Sequence, residues 1–307
     1  MKAVSYRAYG GPEVLEYGDL PLPKVGPDSV LIKVRAAAVN PVDWKAREGY
    51  LDAMIQPVFP VVPGWDVSGV VVGQGADTPE YQEGDEVIGY VREDFLSRGT
   101  FAEYVAAPVR TLAPKPAGLT FEEAAAIPLA GLTALQSLRA TRTGEGDTVL
   151  IHGASGGVGS MAVQLARRLG ARVIGTASER NHDYLRALGA EPVTYGDGLA
   201  ERVRALAPKG VDVVLDLVGG GAVATSPAVT AHGARLVSIA DPAVTEHGGR
   251  VLWVRPDPAD LAELGRLAAE GVLKVEVAEV FPLEKTADAH RRSAEGHTRG
   301  KIVVTVP

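Results

Sequence analysis

Apolar positions in the first third of the chain come in short runs, KAVSY, SVLIKVRAAAV, VSGVVVGQG, DEVIGYV and TFAEYVAAP, separated by clusters of glycine, proline and aspartate. Runs bounded by turn residues predict strands, and their spacing suits an antiparallel, barrel-like domain. From about residue 121 the rhythm changes. FEEAAAIPLAGLTALQSLRA predicts a helical stretch with one proline bend, and DTVLIHG, ARVIGTA, EPVTYG, VDVVLDLVGG and ARLVSIA predict strands with helical segments between them. Their near-continuous apolar content fits strands covered on both faces, so an α/β architecture with a doubly wound parallel sheet is expected. The remainder predicts a strand at RVLWVRP, a helix over DPADLAELGRLAAEG, a strand near KVEVAEV, a helix over EKTADAHRRSAEG, and a last strand KIVVTV that returns to the first domain. The expected division is 1–118, completed by about 272–307, with a second domain over 119–271.

Residues 147–159, DTVLIHGASGGVG, run from a strand into a glycine-dense turn and on into SMAVQLARRLG, whose apolar positions fall at helical spacing. With a second strand at ARVIGTA they complete a βαβ unit of the size that holds a dinucleotide. Ala154 and Gly156 are expected to let the backbone turn and approach the phosphates, and Gly159 to let the helix close onto the strand. Ser155, Gly157 and Val158 complete this cradle, where free helix N–H groups face the anion. Ala154 stands where the first glycine of G-x-G-x-x-G would be.

The end of the second strand selects the cofactor. A carboxylate there would accept hydrogen bonds from the ribose of NAD. This chain has Thr176, Ala177 and Ser178, then Arg180. A hydroxyl and a guanidinium bind a 2′-phosphate, so NADPH is expected, with Ser178 and Arg180 as phosphate ligands and Thr176 beside them at the end of the strand. Glu179 lies among them and is read as pointing to solvent. Tyr195 either adds a hydroxyl to the same pocket or closes the top of the sheet.

Composition narrows the function classes. The 307 residues, 46% hydrophobic, suffice for two cored domains. A formal charge of −7 with interspersed signs argues against a nucleic-acid surface. No run of about 18 apolar residues and no secretory pattern occur, so no membrane association and a cytoplasmic location are expected. The absence of cysteine excludes disulfides, thiolate catalysis and any cysteine-built zinc site. The six histidines, at 152, 182, 232, 247, 290 and 297, show no metal-ligand grouping and are expected at surfaces or helix ends.

Taken in order, VNPVDWKAREG, VPGWDVSGVVVGQG, EGDEVIGY, RGTFAEYVAAP, PLAGLTA and IHGASGGVG resemble the medium-chain dehydrogenase/reductase superfamily, in its zinc-free quinone oxidoreductase (zeta-crystallin-like) branch, over essentially the whole length. The resemblance implies a GroES-like β-barrel catalytic domain beside a Rossmann domain, with the active site in the cleft between them, and a homodimer joined edge to edge through RVLWVRP. Zinc-dependent relatives carry a cysteine and a histidine where this chain has Asn40 and Trp65. An amide oxygen is a poor zinc ligand and an indole is none, so no metal site is expected.

Without a Lewis acid, the suitable hydride acceptors are quinones and α,β-unsaturated carbonyl compounds, and NADPH-dependent reduction of a quinone is the expected reaction. The alternatives are an alkenal or enone reductase and a non-catalytic NADPH-binding redox sensor. Resemblance makes Asn40 a candidate to bond the nicotinamide ribose or the substrate oxygen, against a plain turn residue before Pro41. Tyr50 either supplies a proton or hydrogen bond to a developing oxyanion or forms wall. Thr133 either borders the nicotinamide or back-bonds within its helix. Trp65 fills the volume of the lost metal site. Asp43 and Asp66 are each a candidate acid or base, but the preferred reading is that they tie turns or pair with Lys45 or Arg47. Resemblance also places Gly175 with Thr176, Val218 with Gly219, and Ile239 with Ala240 along the cofactor's path, and Asp216 is read as capping the turn after its strand.

Overall fold

The computed structural model describes residues 1–307, which divide into two compact units: Met1–Leu132 with Pro256–Pro307, and Thr133–Arg255. The boundaries therefore fall at 132 and 255, where the sequence suggested 118 and 271.

The first unit is built on a seven-stranded sheet. Its path runs Val277–Pro282, Lys301–Thr305, Ser29–Val39, Asp66–Gln74, Glu86–Tyr90 and Leu112–Pro114, with Tyr104–Pro108 also paired to Ser29–Val39. All neighbours are antiparallel except the first two strands. Val30, Ile32, Val34, Val67, Val71, Val87, Phe101, Val105 and Leu112 close the core. In Ser29–Val39 buried positions alternate with half-buried ones until the strand's end, as β-branched residues on a pleated surface require. Two strands that the sequence did not suggest, Gln56–Val62 and Phe95–Arg98, pair in parallel. Prolines at 57 and 60 hide the first, and the second lies in a mixed polar run. A short helix, Pro41–Arg47, follows the longest strand, and its first turn is set by Pro41 and Asp43.

The second unit carries six parallel strands in the order Glu191–Thr194, Arg172–Ala177, Thr148–His152, Val211–Asp216, Thr230–Ser238, Arg250–Val251. This is the doubly wound order expected of a dinucleotide fold. The strand expected over RVLWVRP shrinks to Arg250–Val251, at the sheet's edge. His152 and His290 are buried, not at surfaces or helix ends as expected. No helix is long and apolar enough to cross a membrane.

Candidate active site

In the second unit the strand order reverses between Thr148–His152 and Val211–Asp216, and such a switch point opens a crevice at the carboxyl ends of the strands. Gly153 makes the turn there, with φ +73°. This corrects the reading of Ala154 as the turn position. Ala154 is fully buried, and a Cβ at Gly175 would lie 2.7 Å from its methyl group. Thr176 holds the turn: its carbonyl accepts from Ala154 N and its hydroxyl from Gly153 N, each at 3.0 Å. The Thr176 hydroxyl is thus committed to the backbone of the turn.

Gly159 and Gly156 divide two tasks. A Cβ at Gly159 would overlap Gly153 O and the Ala154 backbone, so close helix-strand packing demands glycine. A Cβ at Gly156 would meet only Gly153 O, at an ordinary 3.4 Å. The protein itself leaves room there, and that bare backbone is the surface a pyrophosphate needs. The helix Gly157–Arg168 makes its first bond from Ser160 N to Gly156 O (2.9 Å), so the amides of Gly157, Val158 and Gly159 have no partner within the helix. Partial positive charge collects at this end.

Beyond the second strand, Ser178 is half-buried, and Arg180 is exposed within the turn Glu179–Asn181. Asn181, which sequence reading missed, is buried and donates to Ser155 Oγ (3.3 Å) and Ser178 Oγ (3.4 Å), joining the cradle to the expected phosphate side. Its signal was an amide three residues after Ser178, a spacing at which side chains bridge a turn. Tyr195 is exposed just past Glu191–Thr194. Across the switch point, Asp216 is buried and ties its turn: Oδ1 accepts from Val218 N (3.1 Å) and Gly219 N (2.9 Å), and Oδ2 from the Ser238 hydroxyl (2.6 Å). Ser238 Oγ in turn accepts from Ala240 N (3.1 Å), placing Ile239 and Ala240 at the end of the neighbouring strand. Val218 is exposed, yet its side chain covers Gly153. His152, paired in register with Asp216, is held below the usual imidazole range by burial, partly countered by the Asp216 charge.

The first unit holds a buried polar cluster at the end of Ser29–Val39. Asn40 donates from Nδ2 to Asp66 Oδ2 (2.9 Å) and Ala38 O (3.3 Å). Its Oδ1 accepts from the Lys301 ammonium, which also donates to Val39 O (3.0 Å) and lies 3.8 Å from Asp66 Oδ2. Asp66 Oδ1 accepts from Leu129 N (2.8 Å). Burial lowers the Lys301 pKa and raises that of Asp66 to about 6, each opposed by the partner's charge. Asp43 Oδ2 accepts from Asn40 N at 2.7 Å. Burial raises Asp43 to about 8, against the Asn40 hydrogen bond, with the Asp66 charge adding to the rise. Asp43 thus ties the turn that opens Pro41–Arg47, the first of the two roles expected of it, and neither carboxylate pairs with Lys45 or Arg47. Arg47 instead donates to Gly10 O (3.0 Å), Glu48 (2.6 Å) and His290 Nδ1 (3.1 Å). Trp65 packs edge-on to Tyr90, with ring centroids 6.1 Å apart. Thr133 is buried on the helix Pro128–Ala140, whereas Tyr50 is 70% exposed after Pro41–Arg47.

Residues 26–117 match the family described as alcohol dehydrogenase GroES-like domain, and residues 188–304 that described as zinc-binding dehydrogenase. The NADPH-dependent alkenal/one oxidoreductase of Arabidopsis thaliana chloroplasts is 38% identical over 99% of this chain and 79% of its own. A quinone oxidoreductase structure from Coxiella burnetii superposes with a TM-score of 0.89 at 35% identity, covering 100% of this chain and 99% of that one. A structure named NAD-dependent alcohol dehydrogenase superposes at 0.91 with 36% identity, covering 100% of both. The chain belongs to the medium-chain dehydrogenase/reductase superfamily, in its quinone oxidoreductase branch. Within this superfamily the GroES-like unit is the one that carries Asn40, Asp43, Asp66 and Lys301, and the Rossmann-like unit the one that carries the glycine cradle.

Proposed function

We propose that this medium-chain reductase is a zinc-independent enzyme that reduces a quinone with NADPH. The observation that carries the reading is the bonding of Asn40. Its carbonyl oxygen is already held by the Lys301 ammonium and its amide by Asp66 and Ala38, while Trp65 offers no metal-binding atom. A chain with an internal cation on the oxygen that would have to ligate zinc suits an acceptor that needs no Lewis acid. A quinone is such an acceptor, because a hydride adds to it with gain of aromaticity.

The residues fit the cofactor. Gly156 leaves bare backbone for the pyrophosphate, the amides of Gly157, Val158 and Gly159 face it, and Ser155, Ser178, Arg180 and Tyr195 line the route to a 2′-phosphate. When bound, NADPH supplies the hydride. Likeness of fold alone does not choose the phosphate, since structures named for quinones and for NAD both superpose; the residues after the second strand favour NADPH. Arg180→Ala is expected to weaken NADPH about tenfold or more and leave NADH nearly unchanged, the loss of one charge-assisted contact to a dianion. Equal losses in fluorescence titrations would remove Arg180 from the site. Val218, Ile239 and Ala240, at the carboxyl ends of the parallel strands, are assigned to the nicotinamide side of the cofactor.

The second reading, reduction of an alkenal or enone, is favoured by the name of the 38% identical relative. Both are tested by mixing chelator-treated protein and NADPH with 1,4-benzoquinone, 9,10-phenanthrenequinone and an alkenal while following nicotinamide absorbance. Rapid oxidation with a quinone supports the first reading, and oxidation with the alkenal alone supports the second. Tight NADPH binding without turnover would instead make the chain a binding or sensing protein. The exposed edge strand Arg250–Val251 is the surface we assign to a homodimer.

A further inference from the structure

We propose that Asn181 is a positioning residue for the cofactor, whose side-chain amide turns the Ser155 and Ser178 hydroxyls outward, so that one donates to the pyrophosphate of NADPH and the other to its 2′-phosphate. The proposal rests on the cofactor reading above and is independent of which acceptor is reduced. Ser155, Ser178 and Asn181 all belong to the second unit.

Asn181 forgoes the task its place in the chain offers. It stands before the helix His182–Ala187, where an asparagine side chain ordinarily accepts from a backbone amide of the first turn, yet it makes no such bond. Its φ of −103° and ψ of 3° lie outside the extended conformation of a capping residue, and its backbone N donates to Ser178 O (2.9 Å). That tight turn carries the side chain back toward the strand Arg172–Ala177. There Nδ2 meets Ser178 Oγ at 3.4 Å and Ser155 Oγ, 26 positions away in the chain, at 3.3 Å. The residue is only 8% exposed, so a buried amide is committed to two separate turns.

The chemistry of the groups fixes the hydroxyl hydrogens. The NH2 of an amide carries two hydrogens and accepts none, and a serine oxygen that accepts one of them must aim its own hydrogen elsewhere. Neither serine hydrogen has an acceptor within the protein, and both residues are half-buried rather than enclosed. An anion supplies the missing acceptor. Ser155 adjoins Gly156, whose bare backbone receives the pyrophosphate together with the amides of Gly157, Val158 and Gly159. Ser178 opens the turn Glu179–Asn181, which carries Arg180. Without the amide each hydroxyl is free to rotate, and its lone pairs then meet a phosphate as readily as its hydrogen does. Contact with the pyrophosphate and discrimination between NADPH and NADH therefore share one support.

The test titrates the full chain and its variants with NADPH and with NADH, following nicotinamide fluorescence, which needs no acceptor and no turnover. The wild type is expected to prefer NADPH. Ser178→Ala should weaken NADPH about tenfold and NADH hardly at all, the loss of one hydrogen bond to a dianion. Asn181→Ala should weaken NADPH by about tenfold or more and NADH by about threefold, since only Ser155 serves NADH. Adding Ser178→Ala to Asn181→Ala should then cost NADPH no more than about twofold, because the hydroxyl has already lost its orientation. A purely structural bridge would weaken both cofactors by one factor and leave the effect of Ser178→Ala intact, and that additive result overturns the proposal. So does a preference for NADPH that Ser178→Ala leaves untouched. Should Asn181→Ala not fold, Asn181→Asp keeps the shape of the side chain and accepts where the amide donates. In that background too Ser178→Ala should cost NADPH no more than about twofold, and its full effect there would overturn the proposal. Equal affinity of the wild type for both cofactors would defeat the cofactor reading and this proposal with it, whereas a preference for NADPH with additive variants defeats the proposal alone.

Discussion

Gly156 and Gly159 show how differently two residues of one motif act. Gly159 is required by the fold, because a methyl group there would collide with Gly153 O and Ala154. Gly156 is required by the ligand, because the protein tolerates a Cβ at 3.4 Å from its nearest atom. Gly159→Ala is therefore expected to destabilise the nucleotide unit by about 1–3 kcal/mol, the cost of overpacking. Gly156→Val should leave the melting temperature within a degree or two while abolishing NADPH binding. A cofactor titration beside a thermal melt on each variant checks both, and intact binding in Gly156→Val would make the turn structural only. The motif was legible because its geometry is local. The shift of the turn to Gly153 was not, since a fingerprint gives spacing and only the backbone angle identifies which residue enters the left-handed region. Thr176 lies at the end of the second strand beside the cradle, and its hydroxyl accepts from Gly153 N, a direction that sequence does not carry.

The last strand delivers one atom to the polar cluster. Ile302 pairs with Val39, which sets Lys301 beside Val39 O and Asn40. KIVVTV was expected to return to the first domain on its strand pattern, but the register that places Lys301 was not in that pattern. One position of slip would turn the side chain to the other face. Both Lys301 and Asp66 are buried, so neither charge gains much over water, and each depends on the other. Lys301→Met is expected to cost about 3 kcal/mol by leaving the carboxylate unpaired, and Asp66→Asn a similar amount. The double variant should lose clearly less than their sum. Urea unfolding of the three variants measures the coupling, and strict additivity would show that the pair does not interact.

Stability of the whole molecule should respond to pH through buried groups of opposite sign, chiefly Asp43 and His290. Asp43 is raised from 3.8 to about 8, so between these values the folded chain keeps a proton that the unfolded chain has lost, and stability falls as pH rises. His290 is lowered from 6.5 to about 3 by burial, then by the Arg47 charge, so across that window the unfolded chain binds the extra proton and stability rises with pH. Below 6.5 Asp66, raised from 3.8 to about 6, acts with Asp43, and His152, also lowered by burial, acts with His290; between 6.5 and 8 the Asp43 effect is the one tested. Melting followed from pH 6.5 to 8 is expected to show a loss of about 2 kcal/mol that Asp43→Asn abolishes. A flat wild-type profile would mean that Asp43 is ionised throughout.

The sequence by itself determined the two kinds of architecture, the nucleotide cradle, the family resemblance and the unsuitability of Asn40 and Trp65 as a zinc pair. All of these reside in periodicity, in the spacing of small residues or in side-chain chemistry, and each is complete within a few tens of residues. Tertiary structure alone decided that Lys301 holds Asn40 across 261 positions, that His290 accepts from Arg47 across 243, and that Asp43 lies in the wall of a recess with one oxygen unengaged. Strand register and packing bring such partners together. The dry surroundings they share then set which groups hold their protons, a property of the assembled interior and of no single segment.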